Sequence, residues 1–166
     1  MGILIEQIIE KAVPKSAIFA KIGMILLCLL AAFLMIYTSF GPYAFISLVA
    51  LIYLTVLVFR NYDAEYEYEY LEGELTVDKI MAKKYRKRMG EFDFKRLEVM
   101  AEEGNAILND YKLEMYKQYD YSSGFEFRKR YVALIMSKDE KVVLTFEPNE
   151  ELYEAILKMA PKKVFE

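Results

Sequence analysis

The sequence has no histidine and only one cysteine among its 166 residues. Histidine is the most frequent general base, the most frequent metal ligand and the usual pH switch of proteins, so its absence argues against all three roles. Cys28 cannot form a disulfide within the chain, and its place in an apolar run is typical of a small hydrophobic side chain. The glycines occur singly, which excludes a glycine-rich phosphate-binding loop. No cofactor and no metal are therefore predicted.

The chain also lacks an excess of positive charge. It has 22 lysines and arginines against 25 aspartates and glutamates, which gives a formal net charge of −3. A domain that binds nucleic acid normally carries a clear basic excess on one face. We therefore predict no nucleic-acid partner.

Charged residues are absent from residues 22–59, which form one long apolar stretch. As a helix, residues 22–40 would span about 28 Å, close to the roughly 30 Å hydrocarbon core of a bilayer. Residues 42–59 form a second apolar run of similar length. Gly41 and the proline after it suit the connection, because glycine accepts a left-handed helix end and proline a first helical turn. We predict a transmembrane helical hairpin over residues 21–60, with spans at 22–40 and 42–59.

Positive charges flank both outer ends of the predicted hairpin. Lys11, Lys15 and Lys21 precede the first span, Arg60 follows the second, and the turn between the spans is uncharged. Lysine and arginine are retained on the cytoplasmic side of a membrane. We therefore predict a multi-pass protein of the inner cell membrane with both termini in the cytoplasm.

Residues 1–20 are predicted to be an N-terminal amphipathic segment at the membrane interface. A helix over residues 1–13 would place Ile5 and Ile9 on one side and Glu6 on another. Such a helix lies in the interface or packs on a neighbouring domain. We predict a short helix at this position.

A change of period marks a second region, residues 61–166. Glutamate and tyrosine alternate strictly over residues 65–70, which is the period of a strand with tyrosines on one face and glutamates on the other. The Glu72-Gly73 turn favours a β-hairpin with the strand that follows. Strands are also predicted at 74–81, 91–94, 97–101, 111–121, 125–136 and 141–146, and a C-terminal helix is predicted at 148–160.

Several short antiparallel strands followed by one amphipathic helix is the element order of a pleckstrin-homology-like (PH-like) barrel, in which the helix closes one open end. We predict an α+β fold class. The transmembrane helical hairpin would be followed by a small antiparallel β-barrel or sandwich of this type, closed by the C-terminal helix and lying in the cytoplasm.

Seven short segments along the whole chain resemble a known family. They are GILIEQ at 2–7, EYEYEY at 65–70, EGEL at 72–75, KKYRKR at 83–88, YDYSSG at 119–124, FEPNE at 146–150 and PKKVF at 161–165. With two close apolar spans, they resemble a family of small bacterial membrane proteins, a domain of unknown function with two N-terminal transmembrane helices and a PH-like C-terminal domain. The resemblance implies the architecture and no particular reaction or binding residue.

A basic run at 83–88 is the most distinctive local feature. Near the inner leaflet, each cation would gain about 1 kcal/mol from anionic lipid. The alternative is a solvated edge strand, whose cations discourage pairing with other chains. The candidate lipid head-group contacts are Lys83, Lys84, Arg86, Lys87 and Arg88.

A row of carboxylates, Glu65, Glu67 and Glu69, could be taken for a metal site because residues two apart on a strand point the same way. Their spacing of about 6.6 to 6.8 Å is wide for ligands of one ion. We predict a solvated face, paired with cations of a neighbouring strand.

A hydroxyl next to a carboxylate occurs at Asp120 and Ser122. No neighbouring histidine or lysine is placed to activate Ser122 as a nucleophile. Aspartate, serine and the nearby Gly124 are residues that turns require. We therefore predict a turn and no catalytic residue.

The function predicted from these features is that of a non-enzymatic binding or scaffold module, which presents a PH-like domain at the cytoplasmic membrane surface. The predicted partners are the lipid bilayer and either another protein or further copies of the chain. The alternative is an accessory subunit of a membrane enzyme or transporter.

Overall fold

The computed structural model describes residues 4–13, 15–37, 41–62, 64–81, 83–137 and 140–165. The chain divides into two compact units. The helical unit comprises Val13–Ala64 and Met81–Lys84. The β unit comprises Met1–Ala12, Glu65–Ile80 and Tyr85–Glu166.

The helical unit contains α1 (Lys15–Tyr37) and α2 (Gly41–Tyr62), which pack against each other. Among the described residues, one helical segment, Ser16–Tyr37, is long and apolar enough to cross a membrane. In its most apolar stretch of 18 residues, 6% of the residues are buried. A shorter apolar segment, Phe45–Val58, lies in α2. The two predicted spans thus coincide with two helices, and their placement in a membrane stays a prediction.

The connection between these helices differs from the prediction. Gly41 was expected to lie between the spans, but α2 begins at this residue. Proline at the second position of α2 suits a first helical turn, where its missing N–H is not needed. The connecting residues 38–40 lie outside the described residues.

The first sheet has four strands in the order β1-β2-β3-β4. Their bounds are β1 (Leu4–Glu10), β2 (Ala64–Leu71), β3 (Glu74–Met81) and β4 (Tyr85–Asp93). The hairpin predicted around Glu72-Gly73 is therefore present. β1 and β2 pair antiparallel, from Leu4 opposite Leu71 to Glu10 opposite Glu65. The two helices are thus inserted, along the chain, between two paired strands.

The helix predicted for residues 1–13 is wrong, because Leu4–Glu10 is a strand. Ile5 and Ile9 are both buried, and a spacing of four fits one face of a strand as well as one face of a helix. Ile8 is exposed, whereas a helix would bury it beside its neighbours. The hydrogen-bonded pairing with β2 therefore selects the strand period over the helical period.

The second sheet has five strands in the order β6-β8-β7-β5-β9. β7 pairs antiparallel with β5 and β8, whereas the outer pairs β6-β8 and β5-β9 are parallel. Short 3₁₀ helices occupy Phe94–Arg96, Ala106–Tyr111 and Leu113–Met115, and the C-terminal helix is α3 (Glu150–Met159). The strand bounds are β5 (Leu97–Glu102), β6 (Lys117–Asp120), β7 (Tyr131–Ser137), β8 (Glu140–Phe146) and β9 (Val164–Phe165).

Two predicted strands were too long. The strand predicted at 111–121 is reduced to β6, because 3₁₀ helices occupy most of its first half. The strand predicted at 125–136 begins only at Tyr131, after an irregular loop.

The strands of the described residues form two open sheets and no closed barrel. Of the predicted barrel or sandwich, the closed barrel is therefore wrong, and the second sheet is mixed where antiparallel strands were predicted. The α+β class is correct. Both sheets and α3 contribute to one core, in which Tyr68 packs edge to face on Phe146 at 6.1 Å between ring centroids. From α3, Leu152 and Ile156 enter the same core.

The alternation in β2 is confirmed. Tyr66, Tyr68 and Tyr70 are buried, and the glutamates between them are partly exposed. The α3 helix begins at Glu150, with Asn149 as its N-cap, because the Asn149 side chain accepts a hydrogen bond from the backbone of Leu152.

Candidate functional site

The basic run forms the turn between β3 and β4 and the first half of β4. Lys83 and Lys84 lie in the turn, where Lys83 has a left-handed φ of 53°. Arg86, Lys87 and Arg88 follow on β4. All five side chains are exposed. Lys83 and Lys84 belong to the helical unit, together with α1 and α2.

The two arginines of the run have carboxylate partners within the first sheet. Arg86 lies 2.9 Å from Glu67. Arg88 lies 2.7 Å from Glu91 and 3.4 Å from Asp78. Hydrogen bonds to Glu91 and then to Asp78 raise the pKa of Arg88. The arginines therefore stabilise the sheet surface by short ion pairs.

The three lysines of the run differ from the arginines. Within the described residues, Lys83, Lys84 and Lys87 have no ion-pair partner. β4 is an edge strand, so these cations also discourage pairing with another sheet. The three lysines therefore present exposed ammonium groups at this edge of the first sheet.

The carboxylate row lies on the partly exposed face of β2. Glu67 pairs with Arg86 of β4. The cation therefore comes from the strand beyond β3, and not from a strand next to β2 as predicted. Glu6 stands opposite Glu69, and Glu10 stands opposite Glu65. Among the described residues, no three metal-ligating side chains are grouped so as to hold an ion. The row is an acidic surface next to a cationic edge.

The segment around Ser122 is a turn. The backbone N–H and the hydroxyl of Ser122 both donate to Oδ1 of Asp120, at 2.9 and 2.7 Å. Gly124 has a φ of 81°, which glycine adopts at little cost. The predicted turn is therefore present, and the hydrogen bond of the Ser122 hydroxyl to Asp120 stabilises it.

A buried polar centre next to this turn was not predicted. The backbone N–H and hydroxyl of Ser123 donate to Oε1 of Glu147, at 2.9 and 2.8 Å. Glu147 is 4% exposed, and its other oxygen, Oε2, has no hydrogen-bond partner. Arg128 approaches Oε2 to 3.7 Å, which is an ion pair beyond hydrogen-bond distance. A charged residue directly after the apolar β8 was the one sequence signal of this centre.

The centre ties the N-terminal strand to the rest of the β unit. The Gln7 side chain donates to the carbonyl of Glu147 at 2.8 Å and accepts from the backbone of Asn149 at 2.8 Å. The Ala12 backbone donates to the Ser123 carbonyl at 2.7 Å. The Tyr68 hydroxyl lies in the same buried region, and burial raises the pKa of Tyr68.

A cleft of about 570 Å³ lies between α3 and the turn that joins β2 to β3. Ile5, Tyr70 and Met159 line its apolar part, where the Tyr70 hydroxyl donates to the Met159 sulfur at 3.5 Å. Burial raises the pKa of Tyr70. Gly73 forms one wall, and a Cβ there would lie 2.9 Å from the Met159 sulfur. The charged rim consists of Glu72, Lys95, Glu151, Glu154 and Lys158.

Comparison with known proteins identifies the family. The whole chain, residues 1–166, matches the family described as Bacterial PH-like domain (DUF6106). Searches of curated proteins and of solved structures gave no significant match. This family is a domain of unknown function, so the match supports the PH-like fold and assigns no ligand. The chain belongs to the bacterial PH-like domain family DUF6106.

Proposed function

We propose that this protein is a membrane-anchored binding module without enzymatic activity. It would present its PH-like β unit to a protein partner or to lipid head groups at the cytoplasmic surface. The observation that carries the proposal is the outward-facing apolar surface of α1. In its most apolar stretch of 18 residues, 6% of the residues are buried. Each 100 Å² of apolar surface left in water costs about 2.5 kcal/mol, so a bilayer is the favoured solvent for this helix.

One polar side chain of the second helix is hydrogen-bonded within the helix itself. The Thr55 hydroxyl donates to the Leu51 carbonyl one turn earlier, at 2.7 Å. A hydroxyl satisfied within its own helix can face hydrocarbon without an unpaired polar group. This bond supports a membrane position for α2 beside α1.

The lysines of the basic run support lipid contact by the β3–β4 turn. Lys83 and Lys84 belong to the same compact unit as the apolar helices. Cations next to an anionic leaflet gain about 1 kcal/mol each. We therefore assign head-group contact to Lys83, Lys84 and Lys87, and sheet stabilisation to Arg86 and Arg88.

The positions of the serines support a binding role without catalysis. Ser122 and Ser123 are both buried, so a substrate atom has no approach to either hydroxyl. The cleft beside α3 contains neither serine. An accessory subunit of a membrane enzyme or transporter would need the same anchored architecture. Identifying the proteins that co-purify in mild detergent separates these two functions.

Orientation in the membrane can be tested with single cysteines. In a Cys28→Ala background, one variant carries Tyr43→Cys near the start of α2, and a second carries Glu151→Cys on α3. An impermeant maleimide added to intact cells should label position 43, and should label position 151 only after the cells are broken. Labelling of position 151 in intact cells would contradict the cytoplasmic location.

Lipid contact can be tested on a variant in which residues 13–63 are replaced by a short Asn-Gly linker. The linker is feasible because Glu10 and Glu65 are cross-strand partners. This variant should float with anionic vesicles, and changing Lys83, Lys84 and Lys87 to glutamine should reduce the fraction that floats. The matched control changes the exposed Lys95, Lys112 and Lys162 to glutamine. Equal losses in both triple variants would contradict a role for the basic run.

A further inference from the structure

An aromatic and basic loop, residues 124–130, precedes β7. Phe127 is 81% exposed, the largest exposed fraction among the large hydrophobic side chains that the structure describes. Its ring lies 5.2 Å from the ring of Phe125, which is half-buried. Packing within the β unit therefore does not explain why a phenylalanine occupies position 127.

The loop holds its exposed ring in a defined conformation. The Phe125 backbone donates to the Ser123 hydroxyl at 3.1 Å, and the Arg128 backbone donates to the Phe125 carbonyl at 3.3 Å. The Arg128 guanidinium lies 5.5 Å from the centre of the Phe125 ring and 3.7 Å from Glu147. The buried centre thus positions the base of the loop, and Phe127 projects from it.

The loop is attached to the strand end from which the chain enters the helices. The Ala12 backbone donates to the Ser123 carbonyl at 2.7 Å, and a Cβ on Gly124 would contact the Ala12 side chain at 3.7 Å. The α1 helix begins at Lys15, three residues after Ala12.

We infer that loop 124–130 is a second membrane contact, in which Phe127 inserts at the boundary between head groups and acyl chains. The inference rests on the proposed function, since it takes the bilayer that holds the helices as the occupant. Lys129 lies 3.6 Å from Glu102, and the Arg130–Glu103 pair is closer still at 2.6 Å, so the cations of the loop are balanced. The aromatic ring therefore drives the contact, and neutral and anionic lipids serve equally.

The test uses the full-length chain, which contains no tryptophan. Phe127→Trp then provides a single reporter in vesicles of neutral phosphatidylcholine. Met115→Trp is the matched control, because Met115 is 76% exposed on a different surface segment. Phe127→Trp should show blue-shifted emission and should lose emission in lipids brominated near the glycerol end of the acyl chain. Met115→Trp should show neither change.

Flotation of the same samples separates failure of this inference from failure of the proposed function. If the chain does not float with the vesicles, the proposed function is contradicted, and the loop contact with it. If it floats and Phe127→Trp behaves as Met115→Trp does, the loop contact alone is overturned. Blue-shifted emission without quenching would place the ring against protein, such as a second copy, and would also overturn it.

Discussion

The helical unit and the β unit use the same apolar side chains in opposite ways. Leu26 in α1 is 60% exposed, whereas Leu144 in β8 is fully buried at 0%. In the β unit, water drives leucine into a shared core. In the helical unit, few apolar side chains have a protein core to enter. This difference in exposure is what the proposed membrane position of the helical unit would produce.

The chain path makes the contrast sharper. The helices are inserted between β1 and β2, which pair along the full length of β1. The first sheet of the β unit therefore pairs two strands that are far apart in the sequence, with both helices between them. Because that pairing contributes Ile5 and Ile9 to the core, a fragment that starts after the helices would lose part of the fold.

Truncating a leucine in each unit should give the largest difference. Leu144→Ala should destabilise the β unit by about 2–5 kcal/mol, because it leaves a cavity in the core. Leu26→Ala should change the same free energy of unfolding by less than about 0.5 kcal/mol. Urea denaturation of the full chain in detergent, followed by near-ultraviolet circular dichroism of the tyrosines, measures both. Equal destabilisation would refute the separation of the units.

Removing the hydroxyl of Ser123 should give the next largest effect. Ser123→Ala takes a hydrogen bond from the buried Glu147 carboxylate, and we expect a loss of about 1–3 kcal/mol. Ser122→Ala removes a hydroxyl bonded to the exposed Asp120, where water can replace it, so its cost should be smaller. The same denaturation experiment compares the two variants. If Ser122→Ala lowers the free energy of unfolding more than Ser123→Ala does, the buried centre does not stabilise the β unit as expected.

High pH should destabilise the β unit. Burial raises the pKa of Tyr68 above its usual range and raises the pKa of Tyr121 to about 12. Tyrosines of the unfolded chain ionise near pH 10. The stabilisation from these neutral phenols is therefore complete below about pH 10 and is lost as the pH rises through about 12. Tyrosinate absorbance and circular dichroism should change together in this range, and titration of all tyrosines near pH 10 with the fold intact would contradict this.

The ion pair between Arg86 and Glu67 should give the smallest effect. The Arg86 side chain is largely exposed, and exposed pairs contribute about 0.2–1 kcal/mol. A double-mutant cycle with Arg86→Gln and Glu67→Gln should give a coupling free energy in that range, reduced by added salt. A coupling energy well above 1 kcal/mol would mean that the surface of the first sheet is organised more tightly than its exposure indicates.

The local periods of the sequence predicted some elements well. The alternation of tyrosine and glutamate in β2 needs no distant information, because side chains of a strand point to opposite faces in turn. The α3 helix was predictable from Pro148, Glu150 and Glu151, and it differs from the prediction by a short shift at its start. The basic run was also visible, although the separation of its arginines from its lysines depends on Glu67 and other residues of the fold.

Other features depend on partners far along the chain. Ile5 and Ile9 fit a helix and a strand equally, and only pairing with β2 decides. Ser123 and Glu147 are in contact although they lie 24 positions apart in the sequence. The exposure of Phe127 could not be predicted either, because it depends on the contacts that position its loop. A strand was predicted to begin at Phe125, whereas the hydrogen bonds of Ser123 and Arg128 hold a loop there.

The most direct test is fractionation of two forms of the protein after a high-salt wash. The full chain should stay in the membrane pellet until detergent is added. The form in which residues 13–63 are replaced by an Asn-Gly linker should appear folded in the supernatant. A full chain that stays in the supernatant without detergent would contradict the claim that α1 and α2 have hydrocarbon as their solvent.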